Sequence, residues 1–221
     1  MTERETAPRG RHAPPLEVRQ GHQRRRLFAA ASAVFARTGY ADATAESIAR
    51  EAGMSKATFY EHFDNKEDCI VALFDAAAGA VITAMRAAAD PAHEGPHVDD
   101  PQARYRAAIG ALLATLAAFP DQAQTLLVEI IGAGPRAIER RDRALNTIAD
   151  FIDSTNERDA ARGIVPRLAS PLDAFALVGA VVELASRQLS TGTPGQLSDL
   201  EPVVQRLVIG LLEASARQAA T

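Results

Sequence analysis

The sequence predicts an all-α protein, and three observations predict it. Apolar residues recur at helical spacing in nine successive segments, no segment shows the two-residue alternation of a strand, and Gly or Pro marks most of the breaks. The expected architecture is an N-terminal three-helix domain, residues 22–68, joined by a continuous helix to a larger C-terminal helical domain, residues 69–221.

Residues 1–21 contain Pro8, Gly10, Pro14, Pro15 and Gly21, with Arg4, Arg9, Arg11 and Arg19, and lack an apolar period. They read as a disordered basic arm: either a plain tail or a strand that follows phosphates or the minor groove. From Gln23 to Arg37 the residues Leu27, Ala31, Val34 and Phe35 share one face, and Gly39 ends that helix. Arg24, Arg25 and Arg26 at its start are placed either to meet phosphate or to form a solvated surface.

The most informative stretch is Thr44 to Lys66, TAESIAREAGMSKATFYEHFDNK. Thr44 can cap a first helix, Glu46 suits its positive N-terminal end, and Gly53 can take the left-handed conformation that ends it. Ala49 is small enough for a second helix to cross closely. Ser55 caps that second helix, expected from Lys56 to His62 and about 10 Å long. Ile48, Ala52, Met54 and Phe59 form the core of the unit, leaving Lys56, Ala57, Thr58, Tyr60 and His62 outward. This is a helix-turn-helix whose short second helix fits a DNA major groove, with Tyr60, His62 and Lys66 within reach of phosphates. Asp64 and Glu67 read as a capping box for a third helix.

That third helix is expected from about Asn65 to Ala89, through Ile70, Leu73, Phe74, Val81, Ile82 and Met85, as a stiff lever into the second domain. Cys69 near its start reads as a small core hydrophobe rather than a redox sensor. Asp90 to Pro101 is a loop. Its His93, His97, Glu94, Asp99 and Asp100 resemble a metal site only in number, because Pro91, Gly95 and Pro96 prevent the helix that would align the histidines, so no metal is expected.

Helices are then expected over Gln102–Ala118, Asp121–Ile131, Pro135 to about Asp159, Pro171–Leu189 and Leu197–Ala216. The last two carry apolar residues on more than one face: Leu172, Phe175, Val178, Val181, Val182 and Leu189, then Val203, Val204, Leu207, Val208, Leu211 and Leu212. The excess predicts a four-helix interface between two subunits, with Gly179 and Ala180 allowing close approach. The other reading is burial within one larger monomer core.

Composition limits the function. The chain has 221 residues, 47% of them hydrophobic; no membrane span is expected, since no apolar run approaches the ~18 residues needed, and no signal peptide is visible. A cytoplasmic location is expected, and the single Cys69 rules out an internal disulfide. Charge is uneven: residues 1–68 hold 11 Lys+Arg against 10 Asp+Glu (net +1), whereas residues 69–221 hold 13 against 18 (net -5). The N-terminal part therefore faces DNA and the acidic remainder is repelled by it. There is no Gly-rich phosphate loop, nucleophile elbow, paired-carboxylate setting or two-His metal helix, so neither an enzyme nor a cofactor is expected.

The run from Arg24 to Phe74 resembles the DNA-binding domain of the tetracycline-repressor (TetR) family of bacterial regulators along its length. The pieces that carry the resemblance are Phe35 to Tyr40 (FARTGY), Thr44 to Gly53, Ser55 to Tyr60 (SKATFY), and His62-Phe63 through Lys66-Glu67. The resemblance implies phosphate contacts at Thr44, Tyr60, His62 and Lys66, and base or groove contacts at Ser55, Lys56, Ala57 and Thr58. It further implies a homodimer on a palindromic double-stranded operator, released when a small-molecule effector enters a pocket between residues of about 80 and 190. Polar residues within apolar runs nominate Glu129, Asn146 and Asp150 for that pocket, aromatics nominate Tyr105, Phe151 and Phe175, and the apolar helix positions Met85 and Ile109 join them. Glu183 is a weaker nominee, since it can instead pair with Arg187 one turn on. The alternative function is a dimeric small-molecule-binding protein whose DNA domain is silent or contacts another protein.

Overall fold

The computed structural model describes residues 15–89, 101–193 and 195–220, with the side chains of residues 101–104 outside the description. Among the described residues there are nine α-helices, two 3-10 segments and no strand. Of the expected loop Asp90–Pro101, residues 90–100 with its histidines lie outside the described residues, as do residues 1–14 of the expected arm, while Pro101 belongs to a helix.

The N-terminal domain begins with α1 (Leu16–Asp42), which starts earlier than expected, so residues 16–21 are helix rather than arm. It also runs past Gly39, which kinks it at φ 75° and ψ 161°, a conformation in which only glycine is unstrained. Helix α2 (Ala45–Glu51) follows, capped by Thr44, whose hydroxyl accepts from the Ser47 amide while the Ser47 hydroxyl accepts from the Thr44 amide. Its end is a Schellman turn: Met54 N–H reaches Ala49 O at 2.9 Å and Gly53 N–H reaches Arg50 O at 3.0 Å, with Gly53 at φ 64°.

Helix α3 (Lys56–Tyr60) is shorter than the expected Lys56–His62. His62 N–H turns back to Phe59 O, tightening the end into a turn. Helix α4 (Lys66–Ala89) is capped by Asn65, not by the expected Asp64 and Glu67 box: Asn65 Oδ1 accepts from Asp68 N–H at 2.9 Å. Helix α4 is long and apolar enough to cross a membrane by length and composition, contrary to the expectation that no segment would be. Alanines joining its apolar residues extend the run, but Cys69, Ile70, Val71, Leu73, Phe74, Val81 and Met85 are buried in the core.

The C-terminal body comprises α5 (Pro101–Ala118), α6 (Pro120–Leu127), α7 (Pro135–Ala161), α8 (Pro171–Thr191) and α9 (Glu201–Ala219). The helix expected over 121–131 is divided at Val128, and Glu129–Ala133 is a 3-10 turn that buries Ile130 completely. The helix expected from Leu197 is likewise a 3-10 turn, Leu197–Leu200, before α9, where Pro202 stands in the first turn. There its missing N–H leaves no bond unmade. Helix α4 packs chiefly on α5, α7 on α8, and α1 against α6 and the 3-10 turn after it, so the buried residues of both domains join in one cluster.

One buried polar residue holds the α7–α8 connection. Asn156 is 0% exposed; its Nδ2 donates to Pro166 O at 2.9 Å and its Oδ1 accepts from Leu168 N–H at 2.9 Å and from Arg167 Nη1 at 3.1 Å. Arg167 in turn makes a two-pronged pair with Asp153, at 2.6 and 3.0 Å, and this hydrogen bonding raises its pKa. Replacing Asn156 with Ala or Leu strands a buried amide and carbonyl. The expected loss is about 2–3 kcal/mol in denaturant unfolding, for either substitution.

Candidate nucleic-acid interface and apolar cavity

The candidate DNA-facing surface is built on a small aromatic core. Phe59, 0% exposed, anchors α3 to Phe63 with centroids 5.4 Å apart, and Phe63 lies 5.8 Å from Phe28 of α1. With that one side chain inward, Lys56, Ala57 and Tyr60 point out, Thr58 is half-buried, and Ser55 caps the helix by accepting from Thr58 N–H at 3.0 Å. Tyr60 stands edge-on to Phe59 and is 49% exposed. Thr44 is exposed at the start of α2, and half-buried His62 lies 3.3 Å from Gln23 of α1. The eight residues nominated for DNA thus fall on α3, its two flanking turns and the starts of α2 and α4.

Lys66 has a different local task from the phosphate contact nominated for it. Its ammonium donates to the carbonyls of Tyr40, Ala41 and Ala43 at 2.8, 2.9 and 3.1 Å and sits 4.4 Å from the Tyr40 ring centroid. An ammonium has three hydrogens, and three acceptors surround it. Lys66 therefore closes the end of α1 on the start of α4. Two of the three arginines at the start of α1 are also structural. Arg24 lies over the Phe28 and Phe63 rings, at 5.1 and 4.9 Å, and Arg26 donates to Ala52 O at 2.7 Å, capping α2 from outside. Only Arg25 is left as an exposed cation without such a described contact to the helix-turn-helix.

The domain is tied to the C-terminal body by carboxylates and arginines. Glu129 Oε2 accepts from Tyr40 N–H at 2.8 Å, while Oε1 is held by Gln124 Nε2 at 3.3 Å. Arg136 pairs with Asp68, and Arg140 with Asp75 at 3.7 Å. Burial, and secondarily the Glu67 charge, raises the Tyr40 hydroxyl pKa. Cys69, 0% exposed, has its thiol pushed up to about 12 by burial, in keeping with a core residue.

An apolar cavity of about 80 Å³ lies between α4, α5, α6, α7 and α8, with Phe74, Val81, Ile109, Leu145, Ile148 and Val181 among its walls. A second, of about 50 Å³, shares Met85, Ile109, Ile152 and Leu177 with it and adds Tyr105, Phe151, Thr155 and Asp159. Of the residues nominated for a pocket, Met85, Tyr105, Ile109 and Phe151 line these spaces. The other four do not. Glu129 turns to the N-terminal domain, Asn146 and Asp150 lie on the exposed face of α7, and Phe175 is 43% exposed on the outer face of α8. A polar residue inside an apolar run has four directions to face, and here each faced away from the cavity. The sequence reading missed Arg141, the one charged residue in the described lining of the first cavity, which shares the face of Ala144, Leu145 and Ile148 at intervals of three and four.

Residues 27–73 match the family model described as bacterial regulatory proteins, tetR family. The chain carries a TetR-family DNA-binding domain. It is a DNA-binding transcriptional regulator, all-α throughout its described residues. The fold extends this likeness to the C-terminal body. The fatty acid degradation regulator FadR from Bacillus halodurans superposes with a TM-score of 0.75 at 21% identity, covering 85% of this chain and 95% of that one. The transcriptional regulator FadR from Bacillus subtilis, solved in complex with stearoyl-CoA, gives 0.70 at 20% identity over 83% and 96%. A TetR transcription regulator from Haloarcula marismortui gives 0.71 at 18% identity over 87% and 99%. No curated protein matches the chain in sequence.

The TetR-type surface separates two kinds of residue experimentally. Tyr60→Ala is expected to weaken DNA binding across sequences by on the order of 1 kcal/mol while leaving stability within about 0.5 kcal/mol. Lys66→Ala is expected to lower both, with about 1–3 kcal/mol lost in thermal unfolding because three carbonyls lose their donor. Fluorescence anisotropy on labelled DNA and thermal melts, run on the same preparations, distinguish them.

Proposed function

We propose that this regulator is a homodimeric repressor that binds a palindromic operator and releases it when a small molecule with an apolar body enters the cavity. The observation that carries the reading is the position of Glu129. It follows α6, whose Leu126 and Leu127 wall the cavity, and its carboxylate holds the backbone of Tyr40 in the DNA-binding domain. A ligand that displaces α6 therefore acts on the domain carrying α3 through a short, direct path. The FadR of Bacillus subtilis, similar in fold, was solved with stearoyl-CoA, which supports an effector with a long apolar chain here.

Dimerisation is proposed through α8 and α9, with the domain division at residues 22–68 and 69–221. Leu172 (72% exposed), Phe175 and Leu207 leave an apolar outer surface on these helices, and Cβ positions at Gly179 and Gly210 meet no atom within 4 Å, so a second pair of helices can approach closely. Two recognition helices about 34 Å apart would then reach successive major grooves of one operator. A DNA target implies the cytoplasm, and no catalysis is required.

The test is binding to the DNA upstream of its own coding region, at two salt concentrations, with Tyr60→Ala as control. Specific, salt-sensitive binding lost in the variant supports the repressor reading, whereas failure there and in a random-sequence selection favours the alternative of a ligand-binding protein with a silent DNA domain. Glu129→Ala is expected to leave effector affinity within about twofold, a change of under 1 kcal/mol, and to reduce the effector-induced loss of DNA binding at least several-fold. Undiminished release in that variant would refute the proposed path.

A further inference from the structure

The two cavities are neighbours that share Met85, Ile109, Ile152 and Leu177 as walls, and their far ends differ chemically. Helices α4 and α7 run side by side with their registers set at two points: Asp75 with Arg140 at 3.7 Å, and Arg86 over the Phe151 ring at 5.7 Å. Between these points both helices advance 11 residues, about 16 Å at 1.5 Å per residue. Arg141 lines the end beside Phe74, near the DNA-binding domain, while Tyr105 and buried Asp159 line the other end. The walls between are apolar.

We infer that the effector is an amphiphile with a linear apolar chain and an anionic end, held with the anion at Arg141 and the chain running toward Ile152 and Met85. This rests on the cavity being the effector site. An apolar space of this lining is poorly hydrated and favours a chain of hydrocarbon. A guanidinium at its rim offers forked donors suited to a carboxylate or phosphate. Arg141 keeps one quarter of its side chain exposed, and its contact with Asp142 is a long 3.4 Å to a carboxylate itself 58% exposed, so an incoming anion can compete for it. The described lining at the opposite end holds no cationic side chain, which places the anion at Arg141. The anion is either the ligand's own carboxylate or a phosphate of a carrier to which the acyl group is esterified; both present oxygen acceptors to Arg141.

Calorimetry on the full chain with dodecanoate, dodecyl phosphate, dodecanoyl-CoA, dodecanol and dodecyltrimethylammonium tests this. The expected result is binding of one or more of the three anions at least tenfold tighter than dodecanol, with that preference abolished in Arg141→Ala and largely restored in Arg141→Lys. Carboxylate or carrier phosphate as the source is decided by whether dodecanoate or dodecanoyl-CoA binds tighter. Dodecanol binding as well as the anions, or an anion preference that survives Arg141→Ala, overturns the inference. Val181→Phe, which fills the cavity, separates this from the parent reading. If dodecanol binding is lost in Val181→Phe but no anion is preferred, the cavity remains the site and only Arg141's role falls; if no ligand binds, both fall.

Discussion

The kink at Gly39 is the constraint on which the two domains depend. Just past that kink α1 ends, leaving the amide of Tyr40 and the carbonyls of Tyr40, Ala41 and Ala43 to find partners outside the helix. Unpaired, the part-buried groups at Tyr40 and Ala43 would carry a desolvation cost. The N–H is taken by Glu129 of the C-terminal body and the carbonyls by Lys66 of the helix that leaves the DNA-binding domain. One anion and one cation thus close a single break from opposite sides. Because both partners are charged, these are among the stronger hydrogen bonds a protein makes, and they fix where α1 ends relative to everything beyond it.

The same geometry explains why the C-terminal body and the DNA-binding domain form one continuous core. Ile130 sits fully buried in the 3-10 turn beside Glu129, and Phe74 belongs both to the core near the DNA-binding domain and to the wall of the cavity. Interiors packed at crystal-like density do not deform smoothly, so a displacement at the cavity wall would shift α6 and its neighbours between discrete arrangements.

The parts legible in the sequence were those set by local chemistry. Thr44, Gly53 and Ser55 act within four residues of themselves, and helix periodicity with Gly and Pro breaks located nine helices. What depended on the direction of a side chain in space was not legible. Glu129 was conspicuous as a charge in LLVEII, yet only the placement of Tyr40, 89 residues away, shows what it meets. Lys66 was read through its charge, when its surroundings are three carbonyls. Arg141 escaped notice because α7 is rich in arginines along this segment, and nothing local distinguishes the one on the cavity face. Asn65 and Asp64 were both adequate caps by type, and backbone geometry decided between them.

Helix α3 has five residues and commits one side chain, Phe59, to the core. A helix this short has no independent stability, so its shape is borrowed from the turn before it and the aromatic cluster beneath it. Its outward positions carry almost none of the folding free energy. Lys56 and Ala57 can therefore be exchanged at little cost to the domain, so that, where these positions meet base edges as proposed, target choice can change separately from foldedness.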